Sequence, residues 1–416
     1  MSLKFSNTID VLASKQVWQY EAVPDRVCRD VAAATFIALQ KPDDFPPLQS
    51  AIVPGDRVTL AVDPNVPQIA EVIRGVVRGI ASTDAGGLDV VVWDEATDET
   101  IEAIKAEVSP TSRVVRHRSA DRRSLGYLAA DESADPIYLN RLLVDADFVL
   151  PIMAGRPAMD ARPCDLTGVY PWFADSLARA RYRDSAPHAT KANAKMAAET
   201  TWLLGVQIMI CVNPSVDGQA SEVLAGTIEA IEKRLHIESS DEPDFPPPAP
   251  IVVASLDGDR QQQTWANAAR AATAAMDRVL PGGTIVLWTD ITESPSDALI
   301  RRANQDDADE QADELADQHD ANSDDSDSDG GDSDTDNNAQ NESHDGDDEF
   351  PRWDDSIAIS RLFADITAEY RLLIHAAIDD QVIEAMGMGS VADGAGLCRL
   401  SKSFDGCGVL RAAQFA

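Results

Sequence analysis

Apolar and polar positions alternate along the second part of the chain in a pattern that predicts strands and helices in turn. A β-branched run at residues 251–253 is followed by a polar turn at residues 257–260 and then by an alanine-rich helix. After the helix, Pro281, Gly282 and Gly283 lead into an apolar run at residues 284–287. Two short apolar strands joined by a helix form a crossover connection, so this region predicts a parallel sheet.

The first part of the chain shows the same alternation. A strand predicted over Arg57–Val62 precedes apolar residues at helical spacing between positions 69 and 80, and a further apolar run follows at residues 88–93. The loop at residues 63–67 therefore lies at the carboxyl end of the first strand, where open α/β sheets bind their ligands. Asp63, Asn65 and Pro67 of this loop are candidates for lining a substrate or cofactor cleft.

Length and proline content divide the chain into two predicted domains. A chain of 416 residues is expected to hold two to three domains of about 150 residues each. The proline-rich stretch at residues 241–250 predicts a linker between an α/β domain at residues 1–240 and a second at residues 251–416. The predicted fold class is therefore α/β, with two α/β domains and mostly parallel sheets. A helix over residues 24–40 and a long apolar strand over residues 202–212 are also predicted.

Charge is concentrated in one segment. Residues 304–349 hold 20 of the 71 acidic residues and no lysine or arginine, which leaves −16 of the formal net charge of −36 for the rest of the chain. This segment lacks an apolar face, so we predict a disordered acidic insert in the C-terminal domain that could reach a basic protein partner. An acidic surface repels phosphates, which argues against nucleic-acid binding.

The remaining composition predicts a cytoplasmic protein. The chain has no uninterrupted apolar run of about 18 residues, so no membrane span is predicted. The first residues carry no apolar stretch after Lys4, so no secretory signal is predicted either. Its five cysteines are scattered and odd in number, which argues against a disulfide framework or a zinc knuckle.

The order of these segments, and the spacing from Arg270 to the Pro281-Gly282-Gly283 turn, resemble nickel-dependent lactate racemases. A strand with His117 and an apolar strand at residues 146–152 extend the resemblance over most of the chain outside the acidic insert. The resemblance implies interconversion of 2-hydroxy acid enantiomers by hydride transfer to a nickel pincer nucleotide held by a lysine. It also implies two histidine bases, a further histidine on the metal and an arginine for the substrate carboxylate.

The residues that carry this chemistry in the family are changed here. The family's Asp-x-Thr-Arg-Pro loop corresponds to residues 63–67, where Asn65 replaces the threonine and Val66 replaces the arginine. The family's Gly-Thr-His-Arg corresponds to residues 94–97, which contain no histidine. Residues 155–163, where the second histidine and the lysine are expected, contain neither. We therefore predict no metal site, assign no catalytic residue, and attribute the nickel nucleotide to the resemblance alone.

The second domain supplies the other wall of a predicted interdomain cleft. Asn267 takes the place of a substrate-contacting glutamine and Arg270 that of a lysine, and Asp259 lies in the preceding turn. Catalytic groups could also have moved. His188, Lys191 and Lys195 would share one face of a helix, and Arg156 and Arg162 could bind a carboxylate.

Two functional hypotheses follow. The first is a diverged racemase or epimerase, an isomerase acting on a small 2-hydroxy acid with relocated bases. The second is a non-catalytic relative that binds a small metabolite or a protein partner. A histidine and a lysine that converge on Asp63 would favour the first, whereas a cleft lined by Val66 and other aliphatic residues would favour the second.

Overall fold

The computed structural model describes residues 16–131, 134–155, 167–185, 190–239, 247–300 and 356–416. Two six-stranded sheets and one two-stranded ribbon make up the fold, which is α/β with largely parallel sheets, as predicted. The acidic insert predicted at residues 304–349 lies outside the described residues. Within the described ranges, no helix is long and apolar enough to cross a membrane.

The described strands follow the alternating pattern of the sequence. In chain order they are β1 (Gln16–Glu21), β2 (Arg57–Val62), β3 (Gly87–Val92), β4 (Val114–Arg116), β5 (Leu125–Ala130), β6 (Pro136–Asn140), β7 (Phe148–Ala154), β8 (Met209–Pro214), β9 (Ala220–Gly226), β10 (Ala249–Ser255), β11 (Val279–Trp288), β12 (Arg371–His375), β13 (Gly389–Ser390) and β14 (Gly406–Arg411).

The described α-helices lie between these strands. They are α1 (Val31–Gln40), α2 (Leu48–Ala51), α3 (Ile69–Ile80), α4 (Asp98–Lys105), α5 (Arg141–Val144), α6 (Ser176–Ser185), α7 (Thr190–Leu203), α8 (Ile228–Ser239), α9 (Trp265–Met276), α10 (Asp297–Ile300), α11 (Ser356–Glu369), α12 (Asp380–Ala385) and α13 (Gly394–Ser401).

The first sheet has the strand order β4-β3-β2-β7-β8-β9, and only the β8–β9 pair is antiparallel. We call this sheet with its helices the first lobe. Strand β2 is buried at every residue after Arg57, as expected for a parallel strand covered on both faces. Helix α3 packs its apolar side on this sheet, and Gly75 allows α1 to approach closely, because a Cβ there would lie 2.6 Å from that of Thr35.

The second sheet, in the order β1-β14-β10-β11-β12-β13, is parallel throughout, and with its helices it forms the second lobe. The predicted strand, helix and strand after residue 249 are present as β10, α9 and β11. The Pro281-Gly282-Gly283 turn lies inside β11, where the register against β10 shifts between Ala249 and Ile251. Helix α9 buries its alanines against this sheet.

The first strand of the chain belongs to the second sheet, where β1 pairs with β14 over six residues. Residues 16–21 are thus separated in sequence from the rest of the second lobe by the whole first lobe. The predicted domain limits at residues 240 and 251 stay a prediction, and β10 begins at Ala249, inside the predicted linker.

Two predictions of local structure were wrong. The helix expected over residues 24–40 begins only at Val31, after Asp30, whose carboxylate caps the helix by accepting from the amide of Ala33 at 2.8 Å. The strand expected over residues 202–212 is divided, because α7 continues to Leu203 and β8 starts at Met209. The apolar run that suggested one strand contains the end of a helix and the start of a strand, and periodicity does not separate the two in short apolar runs.

Candidate functional site

The loop after β2 is held in place by the buried carboxylate of Asp63. One oxygen of Asp63 accepts from the backbone amide of Asn65 at 2.8 Å and from its side-chain amide at 3.1 Å. The other oxygen accepts from the backbone amide of Ala154 on the neighbouring strand β7 at 3.2 Å. Asp63 is fully buried, so its function in the fold is to fix this loop at the carboxyl end of the sheet.

Asn65 connects this loop to the second lobe. Its side-chain oxygen accepts from the amide of Asn267 on α9 at 3.1 Å, and its backbone oxygen accepts from the amide of Gln262 at 3.3 Å. The side-chain nitrogen of Asn65 also donates to Glu95 of the first lobe at 2.6 Å. Asn65 is buried, so these bonds cross between the lobes away from water.

Glu95 and Arg270 form a second connection between the lobes. The guanidinium of Arg270 lies 3.4 Å from the Glu95 carboxylate and donates to the side-chain oxygen of Asn267 at 2.7 Å. Asn267 in turn donates to the backbone oxygen of Gln262 at 2.8 Å. We call Asp63, Asn65, Glu95, Gln262, Asn267 and Arg270 the interlobe network.

The structure brings four of the six predicted cleft residues into this network, namely Asp63, Asn65, Asn267 and Arg270. Pro67 is buried in the same loop. Asp259 lies in the loop before α9, where its carboxylate accepts from the backbone amide of Gln261 at 2.9 Å. The network residues bind one another, so their polar groups have partners within the protein. The role of these six residues in ligand binding stays a prediction.

An open cavity of about 730 Å³ adjoins the network between the two lobes. None of the six predicted residues lines it; Glu95 is the member of the network that does. The first lobe contributes the loop after β3 and the start of α4, and the second lobe contributes the start of α9 and the loop after β11. The lining residues are Asp94, Glu95, Ala96, Thr97, Asp98, Glu99, Arg260, Gln263, Thr264, Trp265, Ala266, Thr292, Glu293, Ser294, Ser296 and Ile359.

One wall of the cavity is supported by a buried ion pair. The guanidinium of Arg179 on α6 binds the carboxylate of Asp94, and both side chains are 3% exposed. The indole of Trp172 lies 5.4 Å from the Arg179 guanidinium carbon and stacks on Trp93 at 4.7 Å. Removing either charge would leave the other buried and uncompensated, so this pair is expected to be sensitive to substitution.

His117 is buried behind this wall. Its Nε2 lies 2.8 Å from the backbone oxygen of Ala174, and its Nδ1 lies 3.2 Å from the amide nitrogen of Asn140. Burial, with a further contribution from the positive charge of Arg179, lowers the pKa of His117 to about 3. A neutral imidazole with both nitrogens engaged is a structural group in this fold.

Other histidines and lysines proposed for relocated catalysis are only partly described. His188, Arg156 and Arg162, and the side chain of Lys191, lie outside the described residues, whereas Lys195 is exposed on α7. His375 lies in the second lobe, stacked on Trp288 at 4.1 Å, with its Nδ1 2.8 Å from the backbone oxygen of Val391. No histidine or lysine lines the cavity in the part of the chain that the structure describes.

The positions that the resemblance assigns to the nickel nucleotide and its substrate hold residues of other types in this chain. Val66, at the arginine position, and Ala96, at the histidine position, are 3% and 2% exposed and pack in the hydrophobic core of the first lobe. Among the described residues, no group of three or more histidine, cysteine or acidic side chains could hold a metal ion. Residues 155–163 contain no lysine for a covalent link.

Sequence reasoning identified the loop and helix of the site and a cleft between the domains, but it missed Glu95, Gln262 and the other residues that line the cavity. Glu95 lies within residues 94–97, which the sequence analysis considered only for the missing histidine. The one available signal was its position directly after an apolar strand, where polar residues of parallel sheets gather.

Comparison with known proteins supports the fold alone. No protein-family model matches the chain, and no curated protein resembles it in sequence. The lactate racemase apoprotein from Thermoanaerobacterium thermosaccharolyticum is similar in structure, with a TM-score of 0.65, 13% identity, and coverage of 93% of this chain and 92% of that one. A protein from Thermotoga maritima has a TM-score of 0.56, with 12% identity and coverage of 87% and 91%. The fold is therefore lactate racemase-like.

Proposed function

We propose that this chain is a small-molecule-binding protein that uses a lactate racemase-like fold without nickel-dependent racemase chemistry. The observation that carries this proposal is the burial of Val66 and Ala96 in the core of the first lobe. In the racemase pattern these positions bear the arginine for the substrate carboxylate and a catalytic histidine. Aliphatic side chains packed in a core can neither bind a carboxylate nor move a proton.

The binding site in this proposal is the cavity between the lobes. Its volume of about 730 Å³ lies in the range of sites for small molecules, and residues of both lobes line it. A ligand in this cavity would contact the loop after β3 and the start of α9 at once. Binding is therefore expected to stabilise the arrangement of the two lobes and to raise the unfolding temperature.

The nickel part of the proposal is tested by native mass spectrometry with metal analysis. The protein is produced in a host that synthesises the nickel pincer nucleotide, with a lactate racemase produced in the same host as the positive control. We expect the racemase to carry nickel and a covalent adduct, and this chain to have its unmodified mass. Nickel with a covalent adduct on this chain would contradict the proposal and would favour a diverged 2-hydroxy acid racemase.

The binding part is tested by a thermal-shift screen of small metabolites, including lactate, followed by titration of each compound that shifts the transition. Ala266 lines the cavity, so Ala266→Phe should fill part of it and weaken binding by more than about tenfold. Thr273 is exposed on the same helix, outside the lining, so Thr273→Phe is the matched control. If both variants weaken binding of the compound equally, or if neither variant weakens it, the assignment of the site is contradicted.

A further inference from the structure

The side chains that line the cavity carry an excess of negative charge. Five are carboxylates, and one, Arg260, is a cation. The carboxylates of the lining are Asp94, Glu95, Asp98, Glu99 and Glu293. A ligand in this cavity therefore meets oxygen acceptors on both lobes.

The two inner carboxylates already have cationic partners. Asp94 binds the buried Arg179, and Glu95 lies against Arg270. The first pair is buried and the second is only partly exposed, so both belong to the supporting structure of the wall. Among the residues that the structure describes, the cations of the inner part of the cavity are therefore already paired with carboxylates.

The outer carboxylates are different, because they are exposed. Glu99 lies 3.8 Å from Arg260, and the side chains are 61% and 76% exposed. Asp98 lies 2.5 Å from Arg116 but is 84% exposed. The Glu99–Arg260 pair is long and exposed on both sides, and exposed ion pairs contribute little, so a ligand can replace it at little cost. Glu293 is also exposed, so the rim carries three carboxylates, of which Asp98 is paired with Arg116 and Glu99 with Arg260.

An aromatic side chain lines the same cavity and contacts the backbone of Glu293. Trp265 lines the cavity at the start of α9, is 8% exposed, and donates its indole N–H to the backbone oxygen of Glu293 at 3.1 Å. This bond fixes the indole next to the loop that carries Glu293. Carboxylates next to a fixed tryptophan bind organic cations, since the ring attracts the cation while the carboxylates neutralise it.

The charge of the whole chain also favours a cationic ligand over an anionic one. A formal net charge of −36 attracts cations to the surface and repels a 2-hydroxy acid, whose carboxylate is ionised at neutral pH. In addition, the position that bears the carboxylate-binding arginine in the racemase pattern is the buried Val66.

We propose that the cavity between the lobes binds a small organic amine, whose ammonium group is held at the rim by Glu293 and Glu99 beside Trp265. This proposal rests on the proposed function, because it names the ligand class of that same site. The hydroxyl groups of Thr97, Thr264 and Ser296 in the lining each accept from a helix amide, and the second lone pair of each can accept from an N–H or O–H donor of the ligand.

The test is isothermal titration of the full chain with 1,4-diaminobutane, choline, lactate and glycerol. We expect the two amines to bind and lactate and glycerol not to bind. The double substitution Glu99→Gln with Glu293→Gln should weaken amine binding by about tenfold or more. Glu102→Gln is the matched control, since Glu102 is exposed on the same helix α4 and lies outside the lining.

Salt provides a second measurement. Raising the salt concentration from about 20 mM to about 300 mM should weaken amine binding several-fold, because the contact at the rim is electrostatic.

Binding of lactate without the amines, at a site sensitive to Ala266→Phe, would overturn the charge assignment and leave the proposed function intact. Binding of neither amine would also overturn it, and the proposed function would then depend on the metabolite screen. Amine binding that Glu102→Gln weakens equally would place the contact on the general acidic surface and overturn the site.

Discussion

At the scale of single residues, Asn65 shows how one side chain can join two lobes. Its amide nitrogen donates to Asp63 and Glu95 of its own lobe, while its oxygen accepts from Asn267 of the other lobe. All of these groups are at least partly shielded from water. Removing a shared partner in such a network leaves several polar groups unpaired at once, so the effect exceeds that of one hydrogen bond.

We therefore expect Asn65→Ala to lower the free energy of unfolding by about 2–4 kcal/mol. Chemical denaturation of Asn65→Ala, Asn267→Ala and the double variant should give a coupling energy of ~1 kcal/mol or more. The control cycle pairs Asn267→Ala with Asn213→Ala, since Asn213 is buried in β8 and bonds within its own lobe. A coupling energy no larger than that of the control cycle would show that the bond between the lobes contributes nothing.

His117 provides a prediction on pH. Burial lowers its pKa from the usual value near 6.5 to about 3, so the unfolded chain takes up a proton between these values while the folded chain does not. The stability contributed by the neutral imidazole is therefore complete above pH ~6.5 and is lost as the pH falls towards 3, by up to ~4 kcal/mol.

The measurement compares unfolding free energies of the natural chain and His117→Gln at a series of pH values. Between pH ~6.5 and ~4 we expect the natural chain to lose stability more steeply than the variant. At pH ~8 the difference in unfolding free energy between the natural chain and His117→Gln reports only the altered packing and hydrogen bonds. Parallel pH profiles below pH ~6.5 would mean that His117 takes up a proton without unfolding of the chain.

At the scale of elements, the second sheet depends on the contact between its first strand and its last. The indole of Trp18 in β1 packs over Gly408 of β14, where a Cβ would lie 2.1 Å from the ring. The absence of a side chain at Gly408 thus makes the space for Trp18, and β1 is the edge strand that depends on this fit.

Gly408→Ala should displace Trp18 and destabilise the chain by about 1–3 kcal/mol. Gly87→Ala is the matched control, because Gly87 is also a strand glycine and a Cβ there would meet nothing within 4 Å. Denaturation monitored by tryptophan fluorescence, with limited proteolysis of the region before residue 22, measures both effects. If the two variants are equally stable and are cleaved equally slowly by the protease before residue 22, the fit between Trp18 and Gly408 does not hold β1 in place.

At the scale of the whole molecule, two loops meet between the lobes. Gly218, after β8, faces Gly258 and Asp259, after β10, and a Cβ at Gly218 would lie 2.5 Å from the Cα of Gly258. The side chain of Gln262 fills the remaining space and donates to the backbone of Asn65. Burial raises the pKa of Asp257 in the same region, although amides of Gly258, Asp217 and Gly218 donate to it.

Gly258→Ala should therefore disturb the contact between the lobes. Its Cβ would lie 1.5 Å from the side-chain oxygen of Gln262, and its φ of +98° disfavours any side chain. Gly282→Ala, at φ +73° with nothing within 4 Å, is the matched control that carries the φ penalty alone. We expect Gly258→Ala to cost at least ~1 kcal/mol more in unfolding free energy. If Gly258→Ala and Gly282→Ala lower the free energy of unfolding equally, the side chain of Gln262 can move away without effect on the contact between the lobes.

The alternation of strands and helices, the parallel sheets and the position of the loops at residues 63–67 and 257–260 could be predicted from the sequence. These features depend on local periodicity and on the chirality of strand–helix–strand connections, both of which are properties of short segments. Asp63 and Asn65 were predicted to line a cleft because they follow a parallel strand, whereas Asn267 and Arg270 were placed on its other wall by the resemblance to lactate racemases.

Contacts between distant segments were decided only by the tertiary structure. The bonds of Asn65 with Asn267, of Glu95 with Arg270 and of Arg179 with Asp94 join residues far apart in sequence, and no local pattern specifies such partners. The pairing of β1 with β14 is of the same kind. The sequence by itself therefore determined the elements and the sheet ends at which polar residues gather. Packing of the two lobes decided that these residues bind one another and that the open cavity lies beside them, because both depend on shape and charge across a surface that forms only in the folded chain.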